Sequence, residues 1–496
     1  MLTLLCSQAK AQTFVETALM FSRLQNAGTA RILSMGGAQT ALGADISTAA
    51  SNPAGLGMYN RSEFSITGGQ FSNTINGQYF SGDTQISSDN RANRTQFRIP
   101  NFGVVFSSPK NSSGMIKGNF GISQTRINDF NANTEFQARN PNTSIVDYFV
   151  QDANGLPPSQ FLQNGASFNT PTQLAYDTYL IGEMSILDPR NNPAEYFTDV
   201  DGIPLQHERI ETRGAQNQWN FSYGMNFNDK LFLGAGLGIA SIRFQSVKEY
   251  RERFEGGPLD NLMLREDLTI RGSGLNLNLG AIYRIKDKVQ IGMSYLTPTG
   301  YTLSDSYSAR METRWNNFEY LPGYFINNES ERTDQLLSEY VLRTPGRLNV
   351  GATVFAGRKG FFTADIERVN LGATRYRAQT FDQRFDDDNQ EIRELHAATT
   401  NVRMGGEFRH KKFRARAGYN FMPDPYRTVQ NNVSRAVHTV SAGVGYRERK
   451  FFIDVAYIHA MSRMSYRPYL VDNLPAPLLT ADQTITQILV TLGWPF

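Results

Sequence analysis

From Glu63 to its last residue the chain repeats one design: a run of about ten residues in which apolar side chains alternate with polar ones or glycine, then a turn. Trp219-Asn220-Phe221-Ser222-Tyr223-Gly224-Met225-Asn226-Phe227 carries it, as do Leu275-Asn276-Leu277-Asn278-Leu279 and Val440-Ser441-Ala442-Gly443-Val444-Gly445-Tyr446. A period of two puts every second side chain on the same face, which is the pattern of a strand and not of a helix. Fourteen such runs are found, near 63–71, 97–107, 117–127, 217–227, 231–245, 271–285, 288–297, 346–356, 360–370, 400–410, 413–421, 437–447, 450–461 and 484–493.

The connections between them alternate in length. Those at 228–230, 286–287, 357–359, 411–412 and 448–449 are tight, with 108–116 somewhat longer; those at 72–96, 128–216, 246–270, 298–345, 371–399, 422–436 and 462–483 are long. Strict short–long alternation over an even number of strands is the pattern of a membrane barrel with tight periplasmic turns and large extracellular loops. The expected fold is therefore all-β, a 14-stranded antiparallel transmembrane β-barrel at residues 63–496, its longest loops at 128–216 and 298–345 and both chain ends on the periplasmic side. A helical membrane protein is excluded, because the longest uncharged apolar run, Leu231–Ile242, falls short of the ~18 residues a membrane helix needs.

The two faces of the strands support this reading. Outward positions of the last run are Thr484, Thr486, Ile488, Val490, Leu492 and Trp494, and in the run before it Phe451, Ile453, Val455 and Tyr457. The opposite faces hold Asp454, Asp365, Glu367, Arg403, Glu407, Arg409, Arg414 and Arg416. Arg at the bilayer midplane costs about 2–4 kcal/mol, so these charges belong in the lumen. Asp365, Glu407 and Arg416 lie on three consecutive antiparallel strands at similar heights, so Arg416 is expected to contact Glu407 with Asp365 within reach.

Residues 1–11 read as the remnant of a signal peptide: Leu2–Leu5 is apolar, and Ala9-Lys10-Ala11 supplies small residues for cleavage. Cys6 is the single cysteine, which excludes a disulfide framework and cysteine-ligated metals. Residues 12–62 break the strand pattern. Phe14–Leu24 suits a helical turn or two, and Leu33–Ala54 is rich in small residues that pack closely on backbone. This segment is expected to fold up into the periplasmic mouth of the barrel as a plug. Asn52-Pro53-Ala54-Gly55-Leu56 by itself is only a turn signal, but before a barrel it reads as the core of the plug.

Other motifs carry little chemistry. The glycines of Gly234-Ala235-Gly236-Leu237-Gly238 alternate inside a strand, so they mark lumen positions where something packs close, and not a nucleotide loop. Asp386-Asp387-Asp388-Asn389-Gln390-Glu391 is expected to be a solvated loop, lacking the spaced ligands of a calcium site. The five histidines have no ligand spacing, and no nucleophile elbow occurs. No catalytic residue, metal or cofactor is assigned, and no enzyme activity is expected. The net charge of +3 leaves no nucleic-acid footprint.

Several stretches resemble one family, the FadL/TodX outer-membrane transporters of long-chain fatty acids and other hydrophobic compounds. Gly36-Gly37-Ala38 followed by Gly43-Ala44-Asp45-Ile46-Ser47-Thr48-Ala49-Ala50-Ser51-Asn52-Pro53-Ala54-Gly55-Leu56 resembles its hatch. Thr344-Pro345-Gly346-Arg347-Leu348-Asn349-Val350-Gly351 resembles its mid-barrel Pro-to-Gly strand entry, and Phe362-Thr363-Ala364-Asp365-Ile366-Glu367, Arg416-Ala417-Gly418-Tyr419 and Val444-Gly445-Tyr446 resemble its later strands. The resemblance implies a hatched barrel in the outer membrane of a Gram-negative bacterium, in contact with outer-membrane lipid. It implies passive uptake of a hydrophobic small-molecule ligand and a sideways exit at a kinked third strand, for which Gly118 and Gly121 are the candidate bends. Phe496, ending an apolar-faced strand, resembles the signal read by the barrel-assembly machinery. A different role stays open: some members resemble partners of type IX secretion, a scaffold whose long extracellular loops bind a protein partner.

Overall fold

A computed structural model describes residues 14–109, 115–157, 169–184, 195–286, 288–379 and 384–496; the expected signal remnant at 1–11 lies outside them. Fourteen strands form the wall: β1 (Glu63–Ser81), β2 (Thr84–Pro109), β3 (Met115–Asp129, continued by Ala132–Arg139), β4 (Leu205–Phe227), β5 (Leu231–Arg253), β6 (Leu259–Ile285), β7 (Val289–Leu296, continued by Gly300–Leu321), β8 (Leu336–Arg343, continued by Arg347–Phe355), β9 (Gly360–Asn370, continued by Arg375–Ala378), β10 (Ala398–His410), β11 (Phe413–Met422), β12 (Val437–Arg447), β13 (Phe452–Tyr466) and β14 (Pro477–Pro495). Neighbours pair antiparallel, and β14 returns to β1 in unbroken register from Glu63↔Pro495 to Ser81↔Pro477. That pairing closes the barrel and leaves no sheet edge between first and last strand.

Outside and inside separate by parity. Leu275, Leu277 and Leu279 on β6 are 58%, 52% and 53% exposed, and Ile291, Met293, Phe362, Ile366, Val444 and Ile488 continue the same surface. A contiguous apolar band of this kind belongs in hydrocarbon. At the periplasmic rim Phe64 stacks on Trp494, ring centroids 6.1 Å apart. No helix among the described residues is long and apolar enough to cross a membrane.

The long connections are mostly not loops. Residues 72–96 are a continuous hairpin of β1 and β2 turning at Gly82 and Asp83, and much of 246–270, 298–345 and 462–483 is strand. β4 and β5 have 23 residues each and β6 has 27, where about 9–11 tilted residues cross a bilayer. Their outer halves stand in the extracellular space, where both faces meet water or protein and the alternation that marks a lipid-facing strand fades. Asp386–Glu391 also departs from expectation: Asp386–Leu395 is a helix, with three aspartates in the first turn, where they favour the helix dipole, and Ile392 buried.

The N-terminal segment does not enter from below. Its helix α1 (Phe14–Ser22) sits in the extracellular half of the lumen, where Val15, Ala18 and Phe21 pack with Ile242, Phe244, Tyr340 and Tyr376. From there the chain descends through short helices α2 (Ala30–Leu33) and α3 (Thr48–Ser51) and a 3-10 turn at Pro53–Met58 to reach β1. The plug thus runs from the top of the lumen to its floor.

Residues 140–157, 169–184 and 195–204 supply a cap over one side of the extracellular opening. Helix α4 (Ile145–Ala153) starts at a capping box of Ser144 and Asp147, and its Val146 and Phe149 share a core with Leu174 of α5 (Pro171–Asp177) and with Leu259, Leu262 and Trp315 of the wall. Beneath it Glu252 is fully buried, accepting hydrogen bonds from Ile145 N at 3.0 Å, Gln206 Nε2 at 2.8 Å, Tyr250 OH at 2.8 Å and the Ser144 hydroxyl. Glu208, beside Lys248, accepts from Tyr466 OH at 2.9 Å. Burial pushes both carboxyls up from 4.5 to about 7. The folded cap then binds more protons than the unfolded chain between those values, so its stability falls as pH rises through that window, by at most about 1.4 kcal/mol per pH unit and group, and levels off above it. Amide exchange across Ile145–Ala153, corrected for intrinsic rates, is expected to be faster above neutral pH than near pH ~5; equal protection at both would refute the assignment.

Candidate functional site

The candidate site is the lumen with its hatch. Two turns of the hatch are built locally. Asp45 accepts from Thr29 Oγ1 at 2.9 Å, Ser47 N at 3.0 Å and Ser47 Oγ at 2.7 Å, tying the entry of α2 to that of α3. Asn52, extended at φ −146°, ends α3 and caps the 3-10 turn: its Oδ1 accepts from Ala54 N at 3.2 Å, and its Nδ2 donates to Thr40 O at 2.7 Å. Pro53 follows at the first position, where a missing N–H costs nothing. Asn52, Pro53, Ala54, Gly55 and Leu56 are all buried.

Wall glycines make room for these turns. A β-carbon on Gly234 would lie 2.3 Å from Ala54 N and Pro53 C, on Gly224 2.6 Å from Gly57 N, and on Gly280 1.9 Å from the Asn52 carboxamide oxygen. These three are cross-strand neighbours on β4, β5 and β6, and Gly405↔Gly418 on β10 and β11 form a second pair, against Met35 and Gly36. The hatch backbone therefore lies directly on the wall backbone.

Lumen charges pin the other side. Arg416 Nε donates to Glu407 Oε2 at 2.7 Å and its Nη1 to Asp454 Oδ1 at 2.6 Å; Arg409 Nε reaches Glu407 Oε1 at 2.6 Å. Arg31 of the hatch lies 3.8 Å from Glu407 and 3.6 Å from Asp45. The structure brings Arg416 and Glu407 together, paired directly across β10 and β11. Asp365 is not their partner: its Oδ2 accepts from Gln39 N and Thr40 N of the hatch, both at 2.7 Å, and the acid that completes the Arg416 cluster is Asp454. Inward groups on β9 are drawn to hatch amides, while β12 lets Asp454 of β13 through at Gly445, whose β-carbon would meet its carboxylate, so partners come from beyond three consecutive strands. Above this level Glu367 accepts from Arg347 at 2.8 Å, Arg403 at 2.9 Å and Asn401 at 2.7 Å.

Two cavities lie on the extracellular side of the hatch, separated by Leu24, Gln25 and Asn26. One, about 300 Å³, has apolar walls from Leu33, Met422, Val437, Ile458 and Ile485, with Arg23 and Arg435 at its edge. The other, about 110 Å³, is polar and includes Arg347, Glu367 and Arg403. Beside the second the wall opens. The β2–β3 ladder ends at Asn101↔Thr125, and beyond it only side chains bridge the strands: Arg98 to Asp129, Arg94 Nη1 to Asn133 Oδ1 at 3.0 Å, and Asn90 Oδ1 from Gln137 N at 2.8 Å. The hatch fills the vacated edge, with Gln25 N donating to Ile127 O at 3.1 Å. The interruption of β3 falls at Phe130 and Asn131. Gly118 and Gly121 are not the bend. They lie in ladder paired on both sides, Gly118 with Ser108 and Met225 and Gly121 with Val105 and Ser222, and Gly121 gives space to Leu56.

No protein-family model and no curated protein matches the chain. Solved structures do. A FadL homologue of Pseudomonas aeruginosa aligns with a TM-score of 0.56 over 95% of this chain and 99% of its own, at 13% identity. The chain has the FadL-type barrel fold. The toluene transporter TodX of P. putida aligns with a TM-score of 0.50 over 94% and 98% of the two chains, at 12% identity. Within this FadL-type barrel, Arg31 and Gln25 are contacts between hatch and wall that the strand pattern does not single out, since both belong to the hatch. Periodicity places Asp454 on the lumen face, and only the folded barrel reveals what stands opposite it.

Proposed function

We propose that this barrel passes hydrophobic small molecules passively across the outer membrane of a Gram-negative bacterium, without covalent chemistry. The observation that carries the reading is the apolar cavity of about 300 Å³ resting on the hatch, next to the segment Leu24–Asn26 that blocks the break between β2 and β3. A ligand burying ~200 Å² of apolar surface there gains about 5 kcal/mol. Displacing Gln25 from Ile127 O frees the edge of β3, and Phe97 (74% exposed) and Ile99 on the outer side of β2 offer an apolar lip toward lipid. Leaving by that route spares an apolar ligand a passage through water. The likeness to a FadL homologue and to a toluene transporter supports the same class of cargo.

The test is binding of labelled fatty acid and of toluene to the purified barrel. Ile458→Trp should fill the cavity and weaken binding of whichever ligand is taken by about tenfold, that is about 1.4 kcal/mol. No binding of either ligand, or binding indifferent to the tryptophan, would defeat the proposal.

A further inference from the structure

The underside of the hatch faces a third cavity, of about 330 Å³, at the end of the barrel that carries the tight turns. Its described lining holds six arginines, Arg31, Arg284, Arg409, Arg414, Arg416 and Arg447, and a single carboxylate, Glu407. Glu407 is already engaged by Arg409 and Arg416, and Arg416 also holds Asp454. Among the described residues Arg284, Arg414 and Arg447 have no acidic partner within 4.0 Å. Arg414 Nη1 donates to the carbonyls of Lys411 and Phe413, both at 2.8 Å. With the Gln290 amide in its hydrogen-bonded orientation, Arg284 donates to that neutral oxygen at 3.0 Å.

Aromatic rings position two of these cations. Arg284 lies 5.3 Å over Phe232 and Arg447 4.5 Å over Phe452, while Arg409 lies 5.2 Å over Phe361. Stacking uses the face of the guanidinium and leaves its N–H edge available, the edge that matches a phosphate oxygen pair. These three cations line one cavity without a bonded counter-charge, and a polyvalent oxyanion entering it would supply one. Leu42, Met58 and Phe355 line the same cavity, so an apolar chain attached to the anion also finds a surface.

We infer that the periplasmic floor of this barrel is a binding site for a phosphate group, held by Arg284, Arg414 and Arg447 beneath the hatch. The site is independent of the cargo cavity above, from which the hatch separates it. Calorimetric titration of the full-length barrel in a neutral detergent would use two probes, inorganic phosphate and dodecyl phosphate. Binding of either is expected, weakened about tenfold or more by the double substitution Arg284→Gln and Arg447→Gln and unchanged by Ile458→Trp in the upper cavity. Equal affinity for the two probes identifies soluble phosphate as the ligand; tighter binding of dodecyl phosphate identifies the headgroup of an amphiphile. Should the double variant not fold, the unsubstituted protein serves instead: raising NaCl from about 50 to about 500 mM should weaken binding about tenfold, because these cations are open to screening. Failure of both probes to bind, binding insensitive to the double substitution, or binding insensitive to salt would each overturn the site.

Discussion

Gly234→Val should dislodge the hatch and turn a closed barrel into a conducting one. The new β-carbon falls 2.3 Å from Ala54 N and Pro53 C, and these are backbone atoms that cannot rotate away. Overpacking of a close contact costs about 1–3 kcal/mol when side chains can yield. Here the yielding element has to be the 3-10 turn itself, which is held by Asn52 and packed against the wall of β4, β5 and β6. The wall around Gly234 has its own support, because β5 pairs in unbroken register with β4 and with β6. Single-channel recording in planar bilayers should therefore show a large rise in conductance for Gly234→Val. Gly300→Val, at an exposed glycine where a β-carbon would have nothing within 4 Å, should leave conductance as it is. A Gly234→Val barrel as closed as its parent would mean that the hatch is not seated on β5.

Arg416→Met should cost the barrel more than any substitution in the neighbouring turn. The Arg416 side chain is 1% exposed, with Glu407 at 3% and Asp454 at 2%. Removing the guanidinium leaves Asp454 buried with no cation bonded to it and Glu407 with only Arg409 and the more distant Arg31. Breaking a buried ion pair by deleting one partner costs about 3–5 kcal/mol, because the remaining charge stays out of water. Lys411→Met, in the exposed turn between β10 and β11, should change stability by no more than about 0.5 kcal/mol. The midpoint of the heat-dependent mobility shift on gels reads both. Adding Glu407→Gln and Asp454→Asn to Arg416→Met should restore most of the loss, since no unpaired charge then remains. A single Arg416→Met barrel as heat-resistant as the Lys411→Met barrel would show that these charges are solvated and independent.

The wall of the barrel is legible because lipid imposes a rule that each strand must obey locally. Where a strand crosses hydrocarbon, as at Leu275–Leu279 or Tyr457, its outward side chains have to be apolar, and its neighbours inside do not. Where strands leave the membrane the rule lapses. The stretch 72–96 therefore reads as a loop, although its residues pair into the β1–β2 hairpin. Asp386–Glu391 misleads for a related reason: acidic density suggests solvation, yet the same residues suit the first turn of a helix, and it is Ile392, the next residue along, that docks it.

By itself the sequence determined the strand number, the direction of each strand, the inward set of charges and the small-residue segment that closes the lumen. All of these follow from periodicity and side-chain size, which act over a few residues. Only the tertiary structure decided which inward groups meet. Arg416 chose Glu407 and Asp454, Asp365 took the amides of Gln39 and Thr40, and the wall opened past Thr125, with β3 interrupted at Phe130 and Asn131 and not bent at Gly118 or Gly121. These choices depend on where a second segment, hundreds of residues away in the chain, lies inside the barrel. Its backbone amides and carbonyls compete for the same partners, and a buried polar group goes to whichever donor the packing brings within about 3 Å.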